Sequence, residues 1–177
     1  KGFVWIGTES GLSRFNPETE RFNNFKHDPF DSGSLSDNLV QAIYEDNKNN
    51  IWIGTGNGLN RYEESTRSFK HYRVGTSLLG NRISAITGDK DGNLWVSSNS
   101  GITKFNPENE TFRHYDQRDG LQGDIFLMHS VFRNEDNELF FGGTNGFNIF
   151  NPDSLTENPN LPKVVLTGFK LFNQAVT

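Results

Sequence analysis

Chemistry in this chain has to come from oxygen and nitrogen donors. The 177 residues hold no cysteine, which removes thiolate nucleophiles, disulfides and zinc–thiolate sites. Most of the remaining titratable residues recur at fixed intervals. His71 and His114 stand at the same distance after Trp52 and Trp95, and Asn24 holds the equivalent place after Trp5. An acid–base pair serves one reaction centre and has no reason to recur along a chain, so both imidazoles read as structural rather than as switches. Arg14, Arg61 and Lys104 recur in the same way, and structural or solvating roles are expected of them. His129 does not recur. With Asp124 or Glu135 it forms the one acid–base set that an enzyme could use. Asp89-Lys90-Asp91-Gly92-Asn93 imitates the start of a calcium loop, but that loop needs Gly at its sixth position and a bidentate Glu at its twelfth. Leu94 and Ser100 stand there instead, and Asp46-Asn47-Lys48-Asn49-Asn50 occupies the same place one repeat earlier. The segment reads as a turn between strands, with no metal and no cofactor expected. Gly7 to Gly11 and Gly54 to Gly58 are glycine-rich, yet no Lys-Ser/Thr and no helical pattern follow, so the phosphate-cradle reading fails.

The elements that carry these residues come in four copies. Trp5-Ile6-Gly7-Thr8 with Gly11-Leu12-Ser13-Arg14-Phe15 is the first. Trp52-Ile53-Gly54-Thr55 with Gly58-Leu59-Asn60-Arg61-Tyr62 is the second, and Trp95-Val96-Ser97-Ser98 with Gly101-Ile102-Thr103-Lys104-Phe105 the third. Phe140-Phe141-Gly142-Gly143 with Gly146-Phe147-Asn148-Ile149-Phe150 is the fourth. Trp5, Trp52, Trp95 and Phe140 follow one another at intervals of 47, 43 and 45 residues. A period near 40–45 residues with four short strands per unit is the signature of a β-propeller blade.

Each strand of the unit is legible. An inner strand runs through Leu39–Tyr44, Ile83–Ile86 and Met128–Phe132. A polar turn leads to the strand with the Trp or Phe, a Gly turn leads to a third strand, and that strand ends in an aromatic. Asn-Pro opens the next turn in three copies (Asn16-Pro17, Asn106-Pro107, Asn151-Pro152), where Pro presets φ. The outer strand is Phe22–Phe25, Phe69–Tyr72 and Phe112–Tyr115, and its alternation is expected to bury one aromatic face and wet the other. The Trp side chains are expected to fill the wedge between stacked sheets. The first unit lacks an inner strand and the fourth a clear outer one. The expected fold is therefore all-β: a β-propeller fragment of about three to four four-stranded antiparallel blades. Closed propellers have about four to eight blades, so open sheet faces that invite edge-to-edge packing of two copies are expected.

Net charge is −5 with both signs mixed. No Lys/Arg cluster interleaves with exposed aromatics, so nucleic-acid binding is not expected. No run approaches the length of a membrane span, and no signal peptide is present. Lys1-Gly2-Phe3-Val4-Trp5 already reads as strand, so the natural start is expected upstream. Ligand candidates lie in the loops that enter the inner strands, because these ring one mouth of a propeller: Asp37 and Asn38, Asn81 and Arg82, Asp124 and Phe126, with His129 near the axis. These loops offer planar polar groups and an aromatic ring, the make-up of a small-molecule site.

The unit Asn-x-Val-x-x-Ile-x-Glu-Asp, then Leu-Trp-Ile-Gly-Thr, then Gly-Leu-x-Arg-Tyr/Phe resembles the two-component regulator propeller repeat, best over Asn38 to Tyr62. Gly120 to Phe126 with Phe140 to Pro152 resembles the last blade of such propellers. Asn158 to Asn173 resembles the segment leading to the Ig-like Tyr-Tyr-Tyr domain that follows them. The resemblance implies terminal blades over 1–157, a linker over 158–162, and the start of an Ig-like β-sandwich, or a closing strand, over 163–177. It further implies the periplasmic, extracytoplasmic sensor part of a hybrid two-component histidine kinase/response regulator, non-catalytic in this segment. Its partners would be an oligosaccharide, the adjoining blades and Ig-like domain, and a second copy in a homodimer of the parent. A lyase-type propeller enzyme and a non-catalytic dimerisation or interaction scaffold are the competing readings. Ser97 in place of Gly and Phe140 in place of Trp depart from the repeat and argue against identical packing at every blade.

Overall fold

Period-2 strands joined by tight Gly and Asx turns can only fold into meanders. The computed structural model describes residues 2–72 and 82–155, and the backbone of 170–171 and 174–175. Four antiparallel sheets follow in chain order. The first is β1 (Val4–Thr8), β2 (Gly11–Asn16) and β3 (Arg21–Phe25). The second is β4 (Val40–Glu45), β5 (Ile51–Thr55), β6 (Gly58–Glu63) and β7 (Ser68–Tyr72). The third is β8 (Ile83–Gly88), β9 (Leu94–Ser98), β10 (Gly101–Asn106) and β11 (Thr111–Tyr115). The fourth is β12 (Phe126–Arg133), β13 (Leu139–Gly143) and β14 (Gly146–Phe150). These are the expected blades, with β4, β8 and β12 as adjacent inner strands. Most of the segment 163–177 and all of the 158–162 linker lie outside the described residues; β15 (Lys170–Leu171) pairs with β16 (Gln174–Ala175).

The core lies between blades, in three joints of one design. The leading face of each blade offers the Trp, a Leu or Ile, and an outer-strand ring: Trp5, Leu12 and Phe25, then Trp52, Leu59 and Tyr72, then Trp95, Ile102 and Tyr115. The trailing face of the next blade answers with aliphatic residues and rings: Val40, Ile43, Ile51, Ile53, Tyr62 and Phe69 in the second blade, with Ile83, Ile86, Leu94, Val96, Phe105 and Phe112 in the same places in the third. The outer strand therefore does not keep one wet face. Phe69 and Tyr72 are three residues apart, and on a strand an odd separation sends two side chains to opposite faces. Phe69 packs on the first blade and Tyr72 on the third.

Gly54 of the Trp-Ile-Gly-Thr motif has a packing reason. A Cβ there would lie 2.4 Å from Ile83 Cγ2, so the bare backbone forms a notch for the start of the next inner strand. Gly7 faces Val40 in the same way.

Candidate functional site

The recurrent polar residues are consumed by the blades. Asp46 Oδ2 accepts from the Trp52 indole Nε1 at 2.8 Å, and its oxygens also cap Lys48 N, Asn50 N and Asn50 Nδ2. Asp89 repeats this with Asp91 N, Asn93 and Trp95 Nε1 at 2.9 Å. A carboxylate saturated in this way is a turn lock, and the calcium-loop resemblance of Asp89 to Asn93 has its physical cause here. The fourth blade has Phe140 without an N–H, and its turn acid is correspondingly an amide: Asn134 Oδ1 accepts from Glu138 N, and Asn134 Nδ2 donates to Glu138 Oε2 at 2.7 Å. Arg14, Arg61 and Lys104 pair across the ladder with Trp5, Trp52 and Trp95 and hold their charges within 6 Å of those rings, a contact worth about 0.5–1 kcal/mol each. The His71 ring is bonded through Nε2 to Ser34 O at 2.6 Å.

The connection from β3 to β4 crosses one end of the second blade from its outer to its inner strand. Gly33 O accepts from Phe69 N on β7, Ser36 N bonds Asn60 Oδ1 on β6, Ser36 Oγ meets Thr55 Oγ1 on β5, and Leu39 O accepts from Gly56 N. Asp37 and Asn38 end this path beside the inner strand. Asp37 Oδ1 accepts from Leu39 N at 2.7 Å, and Asn38 Oδ1 from His27 N at 2.8 Å, so one acceptor of each is used in shaping the loop. Asn81 lies outside the described residues. Asp124 Oδ1 accepts from Gln117 N at 2.9 Å, tying its loop to the short 3-10 turn Gln117–Asp119. Phe126 is 4% exposed and packs edge-on against Phe141. Its ring belongs to the joint between the third and fourth blades and is not presented as a platform.

Phe126 sits there because β12 carries a bulge. Val40 and Val131 mark the comparison: Val40 is followed by Gln41 and Ala42 before Ile43, and Ile83 by Ser84 and Ala85 before Ile86, whereas four residues, Leu127 to Ser130, separate Phe126 from Val131. The extra residues leave the ladder, and bulges of this kind re-aim side chains. Leu127, Met128 and His129 are exposed, and His129 takes φ +58°, the left-handed region that a branched-ring side chain adopts at a cost. Met128 reaches the first turn of the neighbouring inner strands. Gln41 Nε2 points at its sulfur, Arg82 Nη2 lies 3.9 Å from the same atom, and Arg82 Nε donates to Gln41 Oε1 at 3.0 Å. Three inner strands thus bring a guanidinium, an amide, a thioether and, beside them, an imidazole to one mouth. Of the residues expected there, Arg82 belongs to this cluster, and His129 is the exposed residue after Met128 on the bulge. Gln41 and Met128 are not legible as site residues in the sequence, because the bulge that carries Met128 out is two residues longer than the bulges at the same place after Val40 and Ile83. Phe30 was also missed: it is 97% exposed on the otherwise tightly bonded β3–β4 connection, and only its place in a Pro-containing loop could have flagged it.

Among the described residues, no three His, Cys, Asp or Glu side chains come close enough to hold a metal ion. A cavity of about 290 Å³ opens at the opposite end of the second and third blades, lined by Asp46, Lys48, Arg61, Asp91 and Glu108 among others. Its charges pair with each other: Lys48 with Glu108, and Arg61 with Glu63 just beside it.

Residues 34–57 and 77–100 match the two-component regulator propeller family model. Each matched segment takes in an inner strand, β4 or β8, and the Trp strand after it, β5 or β9. No curated protein sequence matches the chain. The chain is similar to the extracellular domain of a putative hybrid two-component system from B. thetaiotaomicron, with 26% identity and a TM-score of 0.78 over 99% of this chain and 25% of that one. It thus spans about a quarter of that relative. The fold is also shared with PorZ, a surface component of the type-IX secretion system of Porphyromonas gingivalis (17% identity, TM-score 0.62, 82% of this chain and 23% of that one). Virginiamycin B lyase from Staphylococcus aureus shares it too (16% identity, TM-score 0.56, 86% of this chain and 53% of that one). Among the described residues no helix is long and apolar enough to cross a membrane.

Proposed function

We propose that this chain is part of the extracytoplasmic, periplasmic sensor domain of a two-component signalling regulator, and that its axial mouth recognises an oligosaccharide whose binding is relayed toward a histidine kinase and transcription. The observation that carries this reading is the β12 bulge, which departs from the repeat at the one place where three inner strands converge. Sugar hydroxyls are met by planar polar groups fixed in orientation. Arg82 is such a group, exposed and fixed in orientation by its 3.0 Å bond to the buried Gln41, with the exposed His129 on the same bulge as Met128. The regulator propeller repeats and the two-component relative support the signalling context. Asp37, Asn38, Asn81 and Asp124 border the same mouth on this reading, and the Ig-like domain after residue 162 and a homodimer of the parent would carry the signal onward. Titration calorimetry of the chain against a panel of neutral and acidic oligosaccharides tests it. Binding by at least one member, weakened about tenfold by Arg82→Ala through loss of one charged hydrogen-bonding group, is the expected result. A folded chain that binds no member would end the reading.

A further inference from the structure

Met128 is the single methionine of the chain, and it packs in none of the three joints. The β12 bulge carries it out to the axial mouth, where half of its surface is exposed. Two strong donors nevertheless turn toward its sulfur. Gln41 Nε2 points at Sδ from β4, and Arg82 Nη2, from the residue just before β8, lies 3.9 Å from the same atom. A thioether is a weak acceptor, whereas an amide NH2 and a guanidinium are full donors. Gln41 is 3% exposed, and its Oε1 accepts from Arg82 Nε at 3.0 Å. That bond fixes which end of the amide faces the sulfur. Among the described residues, neither Gln41 Nε2 nor Arg82 Nη2 has an oxygen acceptor.

We propose that Met128 is an oxidation site, at which the sulfoxide completes the hydrogen bonding of Gln41 and Arg82. The oxidant is a peroxide. A sulfur lone pair attacks one peroxide oxygen, and the O–O bond breaks as the S–O bond forms. The proton on the transferred oxygen passes to the departing one, which leaves as water from hydrogen peroxide or as an alcohol from an alkyl hydroperoxide. Sulfur gives up two electrons and the peroxide takes them. In an apolar core the polar sulfoxide disrupts packing. Here the new oxygen stands where two donors already converge and no joint is disturbed, so oxidation strengthens the mouth instead of loosening the fold. It also engages Arg82 Nη2. On the reading above, in which Arg82 meets a sugar, the oxidised mouth holds its ligand more weakly. Sulfoxide reduction by reductases is reversible chemistry, which makes Met128 a redox latch on Arg82.

Hydrogen peroxide treatment of the full chain, with peptide mass mapping, follows the gain of one oxygen at Met128. Urea unfolding of oxidised and untreated chains gives the first readout. The folded-to-unfolded ratio is expected to rise about fivefold on oxidation, the worth of one net hydrogen bond. Phenylglyoxal labelling of the Arg82 guanidinium gives the second, and is expected to slow about fivefold for the same reason. Met128→Leu should respond to peroxide in neither readout. Gln41→Ala and Arg82→Ala are each compared with themselves before and after peroxide, so their own folding cost cancels, and the stability gain should shrink in both. A Met128 that stays unoxidised under peroxide that converts free methionine would overturn the proposal. So would an oxidised chain less stable than the untreated one, or a gain of the same size without Gln41 and Arg82. Neither readout contains a sugar, so these failures leave the sugar reading standing, and a chain that binds no sugar leaves the latch standing.

Discussion

The turn lock at Asp89 gives the sharpest test of how this repeat is held together. Asp89 is 1% exposed, and its two oxygens accept from Asp91 N at 3.0 Å, from Asn93 N and Nδ2, and from Trp95 Nε1 at 2.9 Å. Asp89→Asn keeps the acceptor for the backbone amides but turns Oδ2 into an NH2 that faces the indole N–H and the Asn93 amide. Two charge-assisted bonds are lost and two donors are left facing a donor, a cost of about 3 kcal/mol. Trp95→Phe removes the indole donor and part of a fully buried ring, about 2 kcal/mol. In the double variant the indole no longer meets the new NH2, so the losses should fall short of their sum by about 1 kcal/mol. Adding Asn93→Glu writes the fourth turn's own solution, in which Glu138 accepts from Asn134 Nδ2, and should recover more. Urea unfolding followed by circular dichroism measures all four chains. Additive single losses within about 0.5 kcal/mol, or a neutral Asp89→Asn, would refute the lock.

Three further outcomes are expected. Gly54→Ala places a Cβ 2.4 Å from Ile83 Cγ2 and should cost about 1–3 kcal/mol in urea unfolding by forcing the second and third blades apart. His129→Gly relieves a φ of +58° and should leave stability unchanged or raise it by up to about 1 kcal/mol, whereas His129→Val should lower it; equal effects of the two would contradict the bulge geometry. Asp46 has a pKa below the ordinary carboxylate value: burial pushes it up, but donation from the Trp52 indole, the Asn50 side chain and the backbone of Asn50 and Lys48 outweighs that. A depressed folded-state pKa stabilises fully above the unfolded value near 4 and is lost as pH falls through the lower folded value. The natural chain should therefore lose unfolding free energy more steeply than Asp46→Asn as pH drops below about 4, measured by urea midpoints across that range.

What the sequence made legible is what recurs. The positions of Trp52, Gly58 and Arg61 recur through the first three blades (Trp5, Gly11 and Arg14; Trp95, Gly101 and Lys104) because their joints share one design, so the blades, their order and their turns follow from counting. The outer strand was misread because Phe-x-x-Phe looks like one aromatic stripe, while period-2 geometry splits the pair between two joints. The mouth was only half legible for a related reason. Arg82 lies in a loop that counting locates, but Phe126 and Met128 exchange roles when the bulge adds residues before Val131. A single copy cannot reveal which residues leave the ladder, because only packing decides that Phe126 fills the place of Val40 and Ile83.

The departures of the fourth blade are therefore coupled rather than scattered. Loss of the indole at Phe140 removes the donor that a buried turn carboxylate needs, and Asn134 replaces the acid. Loss of the Trp ring also removes the partner of a stacked cation, and Ile149 stands on that rung. With Ile149 on the rung and Glu135 and Asp136 on the turn, the fourth blade lacks the cations that Lys48 and Arg61 supply in the second blade and Lys90 and Lys104 in the third. One substitution at the Trp position is thus matched by changes both at the turn the indole would have bonded and at the rung the cation would have held.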